Sequence, residues 1–295
     1  MTILHATYNF FPYNWGGSEI YVEGMATYQI KQDSDVWIIA AVEKEVIEKQ
    51  GSIYDSKEMS ACLYEYNGLK VIGVNWEANT LQIYRKYSPD WIQIWEGLLD
   101  ILNRFHGLKS IDILHFHAHT TAINVSLIEA IKTKNPASKV YFSYHTPESC
   151  PKGTLLYFNK KQCDIKPNPN TCTACIWNDK IKITPLFSKG ISKFLPSKLT
   201  HESLPTAFKI KSLIREHIEG FDRLINRIDK WFVFSNQMKE TLKLNGVREE
   251  KITMNRHGIS DFFLDRINDS KPKNKTVFGY VGRFHKTKGL HTLLK

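Results

Sequence analysis

Short apolar runs alternate along this chain with longer segments whose apolar residues recur at helical spacing. The runs are rich in β-branched and aromatic residues and predict buried strands at residues 2–8, 36–42, 69–74, 112–119 and 139–145. The intervening segments predict helices at residues 16–31, 91–105 and 121–134. This repeated strand-then-helix order predicts an α/β fold built on a doubly wound parallel sheet.

The pattern continues in the second half of the chain. A helix is predicted at 216–229, a strand at 231–235 and a helix at 236–244, with Ser235 at the junction as a capping residue. Residues 266–275 are polar, contain a proline and several basic residues, and form the best candidate for a domain boundary. The predicted domains are therefore 1–265 and the beginning of a second domain at 276–295.

The second domain opens with an apolar run that ends at Gly282, and helix-like residues resume at Gly289. Arg283 and Lys288 lie in the turn between them. At the carboxyl end of a strand, backbone N–H groups and two cations favour a diphosphate. A solvated basic turn is the alternative.

The first strand is followed by Gly16 and Gly17, where the first helix begins. Glycines at this place permit a positive φ and a close approach of a phosphate or a sugar to the helix N-terminus. Ordinary turn chemistry explains the pair equally well.

Three histidines close the fourth strand and one closes the fifth. Alternation places His115 and His117 on one face, with His117 nearer the crevice and His115 more typical of a core histidine. His117, His145 and the Gly16 turn are predicted to share one edge of the sheet. Metal binding by His115, His117 and His119 is a weaker alternative, because alternate strand positions converge poorly.

A four-cysteine segment, predicted to span residues 148–178, follows His145. Its spacing is C-x12-C-x8-C-x2-C, with the cysteines at Cys150, Cys163, Cys172 and Cys175. Clustered thiols in a loop with little core favour a structural zinc ion. An iron–sulfur cluster, disulfides or unpaired thiols are the alternatives.

The formal charge of +10 indicates an anionic partner, whether a nucleotide diphosphate, a membrane surface or a nucleic acid. Residues 180–215 mix lysines with Leu, Phe and Ile, and suit either an anionic membrane or a solvated face. With no signal peptide and no run of 18 apolar residues, a cytoplasmic protein is expected.

Together these motifs resemble glycosyltransferase family 4, whose members have the GT-B fold. The motifs that carry the resemblance are Gly16-Gly17-Ser-Glu19, the strand ends at His117, His145 and Ser235, the Asn255–Ser260 region, and Gly282-Arg283-x4-Lys288-Gly289. The resemblance implies two Rossmann-like domains and the transfer of a sugar, with retention, from a nucleotide diphosphate sugar to a glycan or a lipid-linked acceptor.

The resemblance also implies residue roles. Arg283 and Lys288 would hold the donor diphosphate, so that catalysis needs no metal cofactor. His117 would orient a donor sugar hydroxyl, and His145 would line the acceptor side. The turn of Gly16, Gly17 and Glu19 would contact the donor or the acceptor. Gly258 and Gly282 are also expected among the residues that bind donor or acceptor.

Two departures from the family pattern qualify these implications. Arg256 and His257 stand where the family usually has Pro and Asn, and the second-lobe pair of glutamates is not found in this chain. The chain is therefore expected to be truncated in its second lobe and to have little or no transferase activity. The competing hypothesis is a zinc-stapled basic module that binds membrane or nucleic acid without chemistry, although nucleic acid is the less expected partner.

Overall fold

The computed structural model of the chain describes residues 1–77, 87–180, 184–194, 206–258, 279–282, 284 and 290–294. The chain divides into two compact units, Met1–His257 and Gly258–Lys295. The predicted boundary at residue 265 lies outside the described residues.

The first unit is organised by a nine-stranded sheet. Its strands are β1 (Thr2–Thr7), β2 (Asp35–Ala41), β3 (Ser52–Asp55), β4 (Met59–Tyr66), β5 (Leu69–Trp76), β6 (Ile113–Phe116), β7 (Lys139–Ser143), β10 (Lys230–Val233) and β11 (Ile252–Met254). The spatial order is β11-β10-β7-β6-β1-β2-β5-β4-β3. All neighbours pair in parallel except β3 with β4 and β4 with β5. The predicted doubly wound parallel α/β sheet is thus confirmed.

The order of the strands reverses between β1 and β6. From β1 the chain passes to β2 and then to the edge strand β3, and it comes back through β4 to β5 beside β2. It then crosses to the other side of β1 for β6, β7, β10 and β11. In open α/β sheets, the crevice outside the carboxyl ends of the strands at such a reversal is the usual ligand site.

Eight helices described in the first unit surround this sheet or its insertion. They are α1 (Gly17–Lys31), α2 (Lys44–Gln50), α3 (Asp90–His106), α4 (Val125–Lys134), α5 (Pro169–Lys180), α6 (Pro185–Phe194), α7 (Thr206–Arg227) and α8 (Asn236–Leu244). Their ends follow local chemistry: Gly107 ends α3 in the left-handed conformation at φ 76°, and the Ser235 hydroxyl accepts from the Met238 N–H to cap α8.

The alternation of side chains along β6 separates the core from the site. Leu114 and Phe116 are fully buried in the large hydrophobic cluster, where Trp231 stacks on Phe142 at 4.8 Å between ring centroids. His115 and His117 point to the opposite face of the same strand. Burial of each large apolar side chain stabilises the folded state by about 1.5–3 kcal/mol. The core on one face of the sheet therefore holds in place the strands that carry the polar groups.

Residues 43–67, which lie between the predicted strands at 36–42 and 69–74 and have no clear apolar periodicity, contain α2, β3 and β4. β4 joins β5 through Asn67 and Gly68, whose φ values are 50° and 76°. Both central residues of this tight hairpin turn need a positive φ, which Asn and Gly tolerate. The predicted strand at 69–74 therefore has an antiparallel neighbour that was missed.

Two further expectations need correction. Cys172 and Cys175 were expected in a loop but lie within α5. The predicted helix at 216–229 is the second half of α7, which already begins at Thr206. The insertion also contains a two-stranded hairpin of β8 (Leu156–Tyr157) and β9 (Lys161–Gln162).

In the second unit the structure describes a short helix, α9 (Leu290–Leu293), where helix-like residues were predicted to resume. Of the predicted strand at 276–281, residues 276–278 lie outside the described residues, and 279–281 have no strand structure.

Candidate functional site

Parallel register gathers histidines from two neighbouring strands at the chain reversal. His5 of β1 lies directly opposite His115 of β6, and their ring centroids are 5.4 Å apart. His117 follows one pleat later, and its ring stacks on His115 at 4.3 Å. All three are buried, with His5 fully inaccessible.

Hydrogen bonds connect these rings to α1 and to the end of β7. His5 Nε2 lies 2.7 Å from Gln29 Oε1, and His5 Nδ1 lies 2.9 Å from His117 Nε2. His117 Nδ1 lies 3.3 Å from His145 Nε2. On a separate branch, His115 Nε2 lies 2.9 Å from the Ser143 hydroxyl.

Burial keeps these imidazoles neutral. It lowers the pKa of His5 to about 4, although the hydrogen bond to Gln29 opposes the shift. Burial also lowers the pKa of His145 to about 4, with a further contribution from the charge of His257. The pKa values of His115 and His117 are lowered by burial first and then by the neighbouring histidines. Neutral rings can both donate and accept hydrogen bonds near pH 7.

Aromatic side chains enclose His145. Phe234 stacks on it at 4.8 Å, and His257 stacks on Phe234 at 3.9 Å. The Tyr21 ring meets His145 edge-on at 4.9 Å and also contacts His117 at 5.8 Å. Burial raises the pKa of Tyr21, so its phenol remains protonated, and a hydrogen bond to Ser143 partly opposes this shift. Flat apolar faces beside hydrogen-bonding groups suit a sugar ring.

The N-terminus of α1 carries a buried carboxylate. Glu19 is 6% exposed, and Ser18 Oγ donates to Glu19 Oε2 at 3.1 Å. A side chain at Gly16 would collide with this carboxylate, whereas Gly17 has open space where a side chain would begin. Gly16 has a φ of −162°, an ordinary extended value, so space for Glu19 and not a positive φ explains this glycine.

Three of these residues, Glu19, His117 and His145, border one cleft with a volume of about 370 Å³. Its walls include Glu19 of α1, His117 after β6, His145 after β7, and Cys150 and Lys152 from the start of the insertion. A second groove, of about 300 Å³, lies beside Ser110 and Ile111 at the amino ends of the strands. Because ligands of such sheets bind at the carboxyl ends, the first cleft is the candidate site.

The four cysteines of the insertion are free thiols, as is Cys62. Cys172 and Cys175 lie one turn apart on α5, and the Phe158 N–H donates to Cys175 Sγ at 3.3 Å. Burial raises the pKa of Cys172 to about 12, and the charges of the other three cysteines add to the shift. The four thiols are thus close enough for their charges to interact.

A tighter group of metal-capable atoms occurs among the histidines. In the parts of the chain that the structure describes, only His5, His115 and His117 form a group of three whose ligand atoms all lie within 4.8 Å of one another. The cysteine sulfur atoms are therefore less closely gathered than these ring nitrogens.

The structure brings some of the predicted site residues together. Glu19, His117 and His145 line one cleft, and Gly16 and Gly17 form the adjoining end of α1. Gly258 and Gly282 belong to the second unit, where Gly282 has a φ of 153°. Arg283 and Lys288 lie outside the described residues.

Sequence reasoning missed His5, Tyr21, Gln29, Ser143 and Phe234. His5 carried a usable signal, because a histidine inside an apolar strand needs a buried hydrogen-bond partner. Tyr21 and Gln29 are both on α1, two turns apart, and resemble ordinary surface positions in a sequence. Their roles depend on which strand the helix crosses, which local periodicity does not specify.

No protein-family model matches the chain, and the comparison with curated proteins finds no match. Among solved structures, the chain is similar to the catalytic domain of Starch Synthase IV from Arabidopsis thaliana bound to ADP and acarbose. The identity is 13%, the match covers 91% of this chain and 54% of that one, and the TM-score is 0.42.

The chain is also similar to an alpha,alpha-trehalose-phosphate synthase (UDP-forming) from Burkholderia xenovorans in complex with glucose-6-phosphate. The identity is 9%, the match covers 79% of this chain and 41% of that one, and the TM-score is 0.35. The chain thus spans about half the length of the solved structures it matches. Among the described helices, none is both long and apolar enough to cross a membrane.

Proposed function

We propose that this chain contributes the acceptor side of a retaining glycosyltransferase that moves a sugar from a nucleotide diphosphate sugar to a polysaccharide or glycolipid acceptor. The observation that carries the proposal is the cleft at the chain reversal, which combines a buried carboxylate and two neutral imidazoles in about 370 Å³, with the Tyr21 and Phe234 rings packed on the His145 imidazole. Such groups bind hydroxyls.

Glu19 favours a sugar over a phosphate in this cleft. A buried carboxylate at a helix N-terminus already occupies the position that an anion would otherwise take, and it repels a second negative charge. Its oxygens instead accept hydrogen bonds from hydroxyls. The sugar contacts proposed for His117, His145 and the Gly16-Gly17 turn belong to this same cleft.

The diphosphate is assigned to the Gly282–Lys288 segment of the second unit. Arg283 supplies a planar fork and Lys288 a mobile ammonium group, and together they would stabilise the charge on the leaving nucleotide. Gly258 and Gly282 would let the backbone approach the donor. Because these cations supply the electrostatic stabilisation, the proposed chemistry uses no metal cofactor.

Helix α6 supports a peripheral contact with an anionic membrane from the cytoplasmic side. Leu186, Phe187 and Phe194 are 86%, 61% and 89% exposed, while Ser188 and Ser192 are buried. Two serines therefore face inwards together with the partly buried Ile191, and three large apolar side chains face outwards. Lys189 and Lys193 add positive charge, which suits anionic headgroups near a lipid-linked acceptor.

A structural zinc ion in the insertion remains part of the proposal. The N–H donated to Cys175 and the mutual influence of the thiols fit a thiolate site. Four thiolates would close the coordination shell, so the ion would hold the insertion beside the cleft and take no part in the chemistry.

The test is a thermal-shift and calorimetric comparison of UDP, GDP, ADP and their glucose conjugates with this chain. One nucleotide family should stabilise the protein, by about 2.7 kcal/mol at a hundredfold excess over Kd. Arg283→Ala and Lys288→Ala should each weaken binding by about tenfold or more, because each removes a charge-assisted contact. Lys286→Ala, a lysine in the same turn but outside the motif, is the matched control.

Two results would contradict the proposal. One is the absence of stabilisation by any nucleotide together with salt-sensitive binding to anionic vesicles, which would favour the non-catalytic basic module. The other is equal weakening by all three substitutions, which would mean that charge in general, and not the motif, attracts the nucleotide.

A further inference from the structure

One continuous hydrogen-bonded chain links α1 to the cleft. It runs from Gln29 through His5 and His117 to His145, with donor–acceptor distances of 2.7, 2.9 and 3.3 Å. Both ring nitrogens of His5 and of His117 are used within it. This hydrogen-bonded chain therefore extends from Gln29 on α1, past the buried His5 of β1, to the half-buried His145, which borders the cleft.

The first member gives the chain a direction. An amide oxygen can only accept, so the contact with Gln29 Oε1 places the His5 proton on Nε2. A neutral imidazole has one N–H, and His5 Nδ1 must then accept from His117 Nε2. By the same rule, His117 Nδ1 accepts from His145 Nε2.

We propose that Gln29 fixes one tautomer along this whole chain, so that His145 carries its proton on Nε2 and keeps an unprotonated Nδ1 as the acceptor for a substrate hydroxyl. Because both nitrogens of His117 are occupied, His117 is a positioning residue in place of the direct sugar contact proposed for it above, and His145 makes the contact. This refinement rests on the proposed function only for the identity of the hydroxyl, which would belong to a sugar.

The charge state of the chain supports a single tautomer. The lowered pKa values of His5, His117 and His145 leave each ring with one proton at neutral pH. In the reversed direction His5 would carry its proton on Nδ1, and its unprotonated Nε2 would face the Gln29 Oε1, so the Gln29 amide would have to rotate to present its NH2 group. Gln29 on α1 thus decides which nitrogen of His145, three hydrogen bonds away, is protonated.

A metal ion is the competing occupant of this place, since His5, His115 and His117 form a close group. At a zinc–nitrogen distance of about 2.0–2.1 Å, tetrahedral ligand atoms lie about 3.4 Å apart. His5 Nδ1 and His117 Nε2 are 2.9 Å apart, which is a normal hydrogen-bond distance, and the group includes no carboxylate. The geometry therefore favours a proton between the rings.

The test is two-bond ¹H–¹⁵N correlation NMR on protein labelled at histidine nitrogens, which distinguishes the two neutral tautomers and the imidazolium form. In the wild type, His5, His117 and His145 should all be protonated on Nε2. Gln29→Met keeps a similar volume but removes the acceptor, so His145 should show a mixture of tautomers. Gln29→Glu, which can also accept, should restore the wild-type pattern.

Gln32→Met, an exposed position at the end of α1, is the control and should leave all three tautomers unchanged. A proton on Nδ1 of His145 in the wild type, or an unaltered His145 in Gln29→Met, would overturn the proposal. So would loss of the ring N–H signals of His5 and His117 upon addition of equimolar Zn²⁺. The wild-type spectrum decides the matter even if Gln29→Met fails to fold.

The experiment separates this inference from the proposed function, because the tautomers are observed without nucleotide or turnover. If the tautomers are as expected but no nucleotide binds, the hydrogen-bonded series from Gln29 to His145 is supported and the proposed transferase function is rejected. If turnover is measured, Gln29→Met should lower kcat/KM by about threefold to tenfold, the range expected for one neutral hydrogen bond, and Gln29→Glu should recover it.

Discussion

The histidines of the sheet and the cysteines of the insertion are held in different ways, although His117, His145 and Cys150 line one cleft. His5 and His115 are cross-strand neighbours in a parallel ladder, so the sheet register alone sets their separation. Cys150 and Cys163 lie in loops, and Cys172 lies on α5, which packs against α6 and α7. Sheet geometry positions the first group without a ligand, whereas we propose that a bound ion draws the sulfur atoms of the second group together.

The largest effect is expected on the zinc content of the protein, which tests whether the cysteines, unlike the histidines, bind an ion. Purified protein should contain about one zinc ion per chain, and Cys172→Ser or Cys175→Ser should reduce this to nearly zero, because a thiolate site contributes about 10–16 kcal/mol and depends on all its ligands. The measurement is atomic emission on dialysed protein.

Cys62→Ser is the control, since Cys62 is buried against Gly73 and Val42 away from the insertion. It should retain the zinc. A metal-free wild type with a well-ordered insertion would contradict the proposed difference between the two groups, because the loops would then position the thiols without an ion.

The fold was predictable in so far as it depends on local pattern. Apolar runs and helical spacing located β1, α1, β2, α3, β6, α4, β7 and α8 to within a few residues. The β3–β4 segment was missed, because its strands contain Tyr, Ser and Glu and show no clean alternation, although Asn67-Gly68 is a recognisable hairpin turn.

Site residues could be predicted from the sequence only where they lie at the carboxyl end of a predicted strand. His117 and His145 follow apolar runs, and a doubly wound sheet must bring such strand ends to one edge. His5, Gln29 and Tyr21 depend on lateral register and on how α1 crosses the sheet. Both are features of the tertiary structure, and no short stretch of the sequence indicates them.

A smaller effect should distinguish the two regions by pH. Because burial lowers the pKa of His5 and His145 from 6.5 to about 4, the unfolded state binds more protons between these values. Stability should therefore fall as the pH drops from about 6.5 towards 4, by up to about 1.4 kcal/mol per pH unit for each histidine. Urea unfolding between pH 7 and 5.5 measures this slope before most carboxylates titrate.

The metal-free insertion should show the opposite dependence. Burial raises the pKa of Cys172 from 9.0 to about 12, so the folded state retains a proton that the unfolded state releases. Its contribution is present below pH 9 and is lost as the pH rises from about 9 towards 12. His145→Asn should flatten only the acid slope and Cys172→Ser only the alkaline one. If either variant changed both slopes, the two regions would not be independent.

The smallest effect concerns the two glycines where the histidine face meets α1. Gly16→Ala should destabilise the protein by about 0.5–1 kcal/mol, because the new methyl group displaces the Glu19 carboxylate and alanine is a poor N-cap. Gly17→Ala should be neutral or slightly stabilising, since its position is open and lies within the helix. Urea unfolding of both variants, repeated in a Glu19→Ala background, measures the difference. Most of the Gly16→Ala cost should disappear in that background. An undiminished cost there would show that Gly16 serves the helix end itself and not the buried carboxylate of the cleft.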